Sequence, residues 1–360
     1  MFFTIIIFLL LLSILVFVHE FGHFITAKKM GMKVEEFGFG FPPRLFGIKR
    51  GETIYSINWI PLGGFVKVKG ESGEFKEEQD SFASKPVWKR FIVLVAGVVM
   101  NLILTVVLLS IGFWIGIPSV VHKDLPASVD INDKAIRIIS VLPQSPADQS
   151  GMQMGDKLIS IDGQTFEDAD GARLFIEEAQ GQELSMVFSR ADEQKQVFVK
   201  AEFLPEVGKS ALGIGLVQTA LISYPWYLAI GEGITSTAVL TWEILKAFGN
   251  LLGNIIIHQE VSMDVSGPVG IAVMTGEVAA LGLNYLIQFA ALLSLNLAIL
   301  NILPFPALDG GRVLFLLIEK FRGRAVSEKV EGAIHNLGFL LLMLLVVLVT
   351  YRDIVKLFVS

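Results

Sequence analysis

The sequence predicts an α-helical membrane protein with about four transmembrane helices, a membrane-associated β-loop and a small α+β domain inserted on the extracytoplasmic side. Of its 360 residues, 53% are hydrophobic and only 18% are charged, which is more apolar than a soluble domain of this size needs. Four apolar segments are each long enough to cross a bilayer, which takes about 20 residues of helix. Between them lie glycine-rich stretches with alternating apolar residues, which are typical of strands and turns.

Composition also limits the chemistry. The net charge of −6 argues against nucleic-acid binding, which usually needs a basic surface. The chain contains no cysteine, so disulfides and thiolate metal sites are excluded, and any metal must bind nitrogen or oxygen ligands.

The predicted spans cover residues 1–27, 88–118, 283–311 and 332–351. The first contains a single charged residue, Glu20. It does not resemble a signal peptide, because the basic residues follow the apolar run rather than precede it. The third span ends in a proline-containing motif, and the fourth is very rich in leucine and valine.

Basic residues predict the orientation of these spans. There are 12 between Lys28 and Arg90 and another 5 between Arg312 and Lys329, whereas residues 121–210 contain 9 basic and 16 acidic residues. Basic loops stay on the cytoplasmic side. We therefore expect the loops 28–87 and 312–331 in the cytoplasm, and both termini and the acidic domain outside.

The segment 221–282 is predicted to be amphipathic and extracytoplasmic. Its central part, 226–257, is fairly apolar but contains Glu232, Glu243 and Lys246, and we interpret it as a helix lying at the membrane surface. The alternative is a fifth span, which would move the last basic loop to the outside.

Two of the loops are predicted to contain strands. Nine glycines and prolines lie between Val34 and Gly70, among aromatic and β-branched residues, so the loop 28–87 is expected to form strands. Its apolar content favours a β-element that dips against the membrane or the helices. An ordinary cytoplasmic hairpin domain is the alternative.

The acidic domain, 122–220, has the pattern of a small α+β fold. Strands are predicted at 136–141, 157–161, 184–189 and 196–202, and a helix at 169–179. The run Ser145–Asp156, followed by Ile159–Gly163, resembles the core of PDZ domains. The sequence Ala211-Leu-Gly-Ile-Gly215 is similar to their peptide-binding loop, which takes a peptide terminus as an extra strand; a glycine-rich strand end is the alternative.

The first span ends with His19-Glu20-Phe21-Gly22-His23, an HExxH motif. Because an α-helix has 3.6 residues per turn, His19 and His23 lie on one face and can share a metal ion. Glu20 lies beside them and could take a proton from water. Ionisable residues inside a membrane are costly, which favours a functional role over a structural one.

A third ligand must come from elsewhere in the chain, because a catalytic zinc usually has three protein ligands. Positions 26 and 29 are Thr and Lys, so the usual downstream histidine spacing is absent. The candidate is Asp309, the one carboxylate in Asn301-Ile-Leu-Pro-Phe-Pro-Ala-Leu-Asp-Gly-Gly311. The remaining histidines, His122, His258 and His335, are isolated and are interpreted as surface or packing residues.

The motifs HEFGH and NILPFPALDG together resemble the site-2 protease family of intramembrane zinc metalloproteases, in its RseP-like bacterial branch with a PDZ domain. The resemblance implies a multi-pass protein of the bacterial plasma membrane with Zn²⁺ held by His19, His23 and Asp309, and Glu20 as general base. It also implies that Asn301 orients the substrate or stabilises the oxyanion. Implied substrates are single-span membrane proteins, such as anti-sigma factors or remnant signal peptides, held by the β-loop as an edge strand.

The sequence argues against two other classes of protein. An inactive PDZ-bearing scaffold should show damage to one of the two motifs, and both are intact. A zinc transporter should show internal repeats and polar residues spread over several spans, whereas here the polar residues are expected at one depth.

Overall fold

The computed structural model describes residues 2–120, 128–142, 144–179, 181–190, 193–204, 209–258 and 266–359. The predicted start of the inserted domain, residue 122, and with it His122, lies outside these ranges. The chain forms two compact units, one made of residues 1–111 and 230–360 and the other of residues 112–229.

Nine α-helices, ten strands and one 3₁₀ helix make up the described part of the chain. In chain order they are α1 (Phe2–Lys29), β1 (Val34–Arg50), β2 (Thr53–Val68), the 3₁₀ helix (Phe82–Ser84), α2 (Val87–Ile115), β3 (Ile117–Val120), β4 (Asp130–Val141), α3 (Pro146–Gln149), β5 (Lys157–Ile161), α4 (Ala169–Glu178), β6 (Glu183–Arg190), β7 (Glu193–Lys200), β8 (Glu202–Leu204), β9 (Lys209–Ala211), β10 (Ile214–Ser223), α5 (Trp226–His258), α6 (Pro268–Leu281), α7 (Leu283–Ile302), α8 (Asp309–Arg322) and α9 (Glu328–Val359).

Four helices of the described chain are long and apolar enough to cross a membrane, which confirms the predicted fold class. They are Phe3–Lys29, Val87–Ile115, Leu283–Ile302 and Glu328–Val355. The 33-residue helix α5 is not among them. Its position at the membrane surface therefore stays a prediction.

The structure differs from the predicted boundaries around the third and fourth spans. The third span was expected to run to residue 311, but α7 ends at Ile302, since Pro304 and Pro306 cannot continue a helix. The segment 312–331 was expected to be a loop, but α8 occupies most of it. Its ends follow from the sequence: Asp309 is in the first turn, basic residues are in the last, and Gly323 is left-handed with φ 70°.

The β-loop is a hairpin of β1 and β2 that turns between Arg50 and Thr53 and then folds back on itself, so that Glu36–Phe39 pair with both Ile54–Ile57 and Gly64–Lys67. It packs along α1, where the rings of Phe24 and Phe37 stack with centroids 4.5 Å apart and the Ser13 hydroxyl donates to the Pro61 carbonyl at 2.7 Å. Elsewhere on the hairpin large apolar side chains are exposed, among them Phe41, Phe46 and Trp59. Packing against a membrane-length helix favours the membrane-dipping interpretation over a separate soluble hairpin.

The unit formed by residues 112–229 has the expected α+β pattern. Its six-stranded sheet has the order β3-β10-β4-β5-β6-β7, and all four predicted strands and the predicted helix are present. The core is built on fully buried side chains such as Ile138, Ile161, Met186, Phe188 and Leu216. The strand β10, which the sequence analysis did not predict, lies inside this sheet between β3 and β4.

Candidate metal centre

The two histidines of HExxH lie on one face of α1, as the helical spacing requires. Both are buried, with 5% of His19 and 7% of His23 exposed. Their Nε2 atoms are 3.2 Å apart. Two ring nitrogens that face each other at this distance, away from water, favour a shared cation between them.

Asp309 completes the group from the start of α8. Its Oδ2 atom is 3.0 Å from Nε2 of His19 and 3.3 Å from Nε2 of His23. Among the described residues, His19, His23 and Asp309 are the group of three potential metal ligands whose ligand atoms lie close enough together to share one ion. The candidate ligands predicted from the sequence thus lie together, although His19 and Asp309 are 290 residues apart in the chain.

The spacing of these atoms fits zinc. In a tetrahedral site with bonds of about 2.0–2.2 Å, two ligand atoms are roughly 3.3–3.6 Å apart. The observed separations of 3.0, 3.2 and 3.3 Å are within a few tenths of an ångström of that range. Two imidazoles and one carboxylate are also a donor set that catalytic zinc uses, with a fourth position left open.

Hydrogen bonds to the far side of the rings select the tautomer that a metal needs. Nδ1 of His23 is 2.8 Å from the carbonyl oxygen of Val93. Since a carbonyl only accepts, Nδ1 must carry the proton, and the lone pair of neutral His23 is then on Nε2, toward Asp309.

His19 has its corresponding partner in Asn101 of α2, whose amide nitrogen is 3.3 Å from Nδ1. Asn101 is fully buried, and its Oδ1 has no hydrogen-bond partner in the described structure. Amide nitrogen and oxygen are assigned from the network around them. Turning the amide over would let the buried oxygen accept from Nδ1–H of His19, leaving Nε2 for the metal.

Gly97, one turn before Asn101, lets α2 approach the rings. A methyl group at this position would come to 2.6 Å from Nε2 and Cε1 of His19 and still closer to Nε2 of His23, well inside van der Waals contact. Only glycine leaves both rings in place. Neither Gly97 nor Asn101 was predicted from the sequence, where the one available signal was a glycine and an amide a turn apart in an apolar span.

The other two predicted site residues lie at the same place. The Asn301 amide nitrogen is 3.4 Å from Nε2 of His19. Glu20 is partly buried and interacts electrostatically with His19, His23 and Asp309. His335, one of the isolated histidines, is not part of the group that His19, His23 and Asp309 form among the described residues.

Zinc metalloproteases hold their ion with donors of this kind, and here the donors sit among helices of membrane-spanning length. Sequence comparison identifies the protein as a zinc metalloprotease: the chain belongs to peptidase family M50, whose family model matches residues 7–345. The resemblance to the site-2 proteases that the two motifs indicated is thereby confirmed, and zinc is the metal of the family.

Similar proteins extend over almost the whole chain. A protein of Clostridium perfringens, provisionally named as a zinc metalloprotease, is 36% identical over 96% of this chain and 97% of its own length. The zinc metalloprotease RasP of Geobacillus kaustophilus is 32% identical over 99% and 98%. The regulator of sigma-W protease RasP of Bacillus subtilis is 29% identical over 99% of both chains.

Among solved structures, the PDZ domain of an SdrC-like protein from Listeria innocua matches 23% of this chain and 92% of its own, with 20% identity and a TM-score of 0.21.

Proposed function

We propose that this protein hydrolyses peptide bonds within the transmembrane segments of single-span membrane proteins, with zinc held by His19, His23 and Asp309. The observation that carries the proposal is the position of the histidines: they belong to α1, one of the membrane-length helices, and are buried among the helices. A peptide bond must therefore be presented at that depth.

The residues of the site divide the chemistry between them. A zinc ion bound here supplies Lewis-acid activation of water and of the scissile carbonyl. Glu20 accepts the proton of the attacking water and passes it to the leaving amine. The Asn301 amide, beside His19, donates to the carbonyl oxygen as negative charge develops on it.

A substrate helix must unwind before attack, because its carbonyls are occupied by helical hydrogen bonds. The outer segment of β2, Gly64–Val68, has β1 as its one strand partner among the described residues and lies beside α1; its other edge is the proposed place for the unwound segment as an added strand. Small or helix-breaking residues in the target lower the cost of unwinding, so they should mark the cleaved sequences.

The distribution of charge supports the proposed orientation in a bacterial plasma membrane. The hairpin loop and α8 belong to the basic segments, and the unit 112–229 belongs to the acidic one.

A cavity of about 440 Å³ lies beside α8, lined in part by Glu71, Arg90, Arg312 and Glu319. Arg312 is one turn from Asp309, so this polar cavity supports entry of water from the cytoplasmic side.

We further propose that the 112–229 unit binds extracytoplasmic peptide termini. The strand β3 pairs with Thr219–Ile222 of β10, and no described strand pairs with residues 214–218 on that edge. A cavity of about 400 Å³ lies along these residues, lined by both β10 and α4. Anti-sigma factors or remnant signal peptides are the proposed substrates; the name of the Bacillus subtilis relative connects that protein with sigma-W.

The test is cleavage of a reporter transmembrane helix by the purified full-length chain, with products located by mass spectrometry. We expect cleavage inside the apolar segment, loss of cleavage with a zinc chelator and recovery when zinc is returned. A reporter with stronger helix formers should be cut more slowly. Cleavage confined to the soluble flanks, or unaffected by the chelator, would contradict the proposal.

A further inference from the structure

The loop between α7 and α8, which carries Asp309 to the histidines, has few bonds that fix its position. Pro304 and Pro306 have no N–H group. The N–H groups of Phe305 and Leu308 bond within the segment, to the carbonyls of Leu303 at 2.7 Å and Phe305 at 3.2 Å. Of residues 304–308, all of which the structure describes, Ala307 is therefore the one whose N–H is directed to another element.

That N–H donates to Nδ1 of His335 on α9 at 2.9 Å. Ala307 is two residues before Asp309 and has a φ of 76°, a left-handed conformation that residues with a Cβ rarely adopt. Such a conformation persists only where its surroundings hold it. The imidazole of His335 is the hydrogen-bonding group that holds it here.

Packing fixes the His335 ring and the loop together. Phe315, on the helix that begins at Asp309, has its ring centroid 5.4 Å from that of His335. One turn further along α9 is Gly338, where an added methyl would collide with the backbone of Pro306. The same face of α9 thus contacts two consecutive residues of the loop, Pro306 and Ala307.

We propose that His335 is a positioning residue for the metal site: its Nδ1 atom fixes the backbone of Ala307 and thereby the carboxylate of Asp309. The proposal deepens the proposed zinc site and rests on it. This role gives a function to His335, which is not itself a metal ligand. It follows because α9 contacts the loop that precedes Asp309.

The experiment replaces His335 by residues that do or do not keep the acceptor. The asparagine Oδ1 occupies about the place of Nδ1, whereas the glutamine Oε1 corresponds to Nε2. We expect His335→Asn to bind zinc within about threefold of the wild type. His335→Gln and His335→Leu should each bind it about 10–100-fold more weakly, as outer-shell substitutions usually do. Zinc affinity is measured by competition with a chromogenic chelator on the full chain in detergent, and cleavage of the reporter helix on the same samples.

Leu337→Ala is the matched control, since Leu337 is 58% exposed two positions further along α9 and should leave both readouts unchanged. Wild-type zinc affinity in His335→Gln, or equal weakening in the asparagine and glutamine variants, would overturn the proposal. If His335→Leu does not fold, the difference in zinc affinity between His335→Asn and His335→Gln still tests the proposal. Failure of the zinc site itself is recognised separately, because Asp309→Ala would then leave zinc affinity unchanged.

Discussion

Asn101 of α2 and His19 of α1 are in contact through the side of the imidazole that faces away from Asp309, at 3.3 Å. This contact joins two membrane-length helices at the metal centre. The backbone carbonyl of Asn101 is itself held by the Ser294 hydroxyl of α7 at 2.9 Å. The orientation of one metal-facing ring therefore depends on a chain of polar groups across three helices.

Replacing Asn101 by leucine should weaken zinc binding about 10–100-fold, because the tautomer and orientation of His19 would no longer be fixed. Ser294→Ala is the comparison: it removes a bond to the Asn101 backbone but leaves the amide in place. It should cost about 1 kcal/mol of stability and spare zinc affinity. Chelator competition and thermal unfolding separate the two effects, and equal zinc affinity in Asn101→Leu and wild type would disprove the role.

Glu20→Gln should keep zinc but abolish cleavage, since an amide cannot accept the proton of the attacking water. General base groups typically contribute 10²–10⁴-fold, so a loss of at least about 100-fold is expected. Metal content and cleavage have to be measured on the same purified sample. Cleavage retained at the wild-type rate would remove Glu20 from the mechanism.

Variants of Asp309 and Asn301 should distinguish a loss of zinc binding from a loss of catalytic activity alone. Asp309→Ala removes one of three ligand atoms and should lower zinc affinity and activity together. Asn301→Ala leaves the ligand set intact and should reduce activity with the zinc content preserved. If both variants bind zinc as the wild type does, the third ligand is not Asp309.

The sequence predicted the histidine pair directly, because helical periodicity alone places His19 and His23 on one face. Asp309 could be nominated by elimination, but its approach to the histidines depends on the packing of α8. The roles of Asn101 and His335 had no local signature, since each has meaning only through a contact with a distant helix. The helix α8 was missed because its basic residues, Arg312, Lys320 and Arg322, were interpreted as part of a cytoplasmic loop.

Cysteine labelling tests the proposed orientation, and the chain has no native cysteine to interfere. Met154 of the 112–229 unit is 75% exposed, so Met154→Cys should react with an impermeant maleimide in intact spheroplasts. Glu77, exposed in the loop after the hairpin, marks the side of the membrane that is expected to be cytoplasmic. Glu77→Cys should react only after the membrane is opened, and the reverse pattern would invert the topology.

Gly97→Ala tests how closely α2 must approach the histidines. The added methyl would lie 2.6 Å from His19 Nε2, a distance that no carbon atom tolerates, so the rings or the helix must move. Moving α2 is resisted at Gly22, where a Cβ would already collide with the backbone of Ala96 and where the two helices cross through small residues. We expect the rings to yield, with zinc affinity and cleavage each reduced at least about tenfold.

Gly249→Ala on α5 is the control, because a methyl there meets nothing within 4 Å and alanine is a better helix former by about 1 kcal/mol. It should leave zinc binding unchanged and the thermal stability unchanged or slightly raised. If Gly97→Ala binds zinc as tightly as Gly249→Ala, the space beside the rings is not limiting. The absence of a side chain at Gly97 would then serve only helix packing.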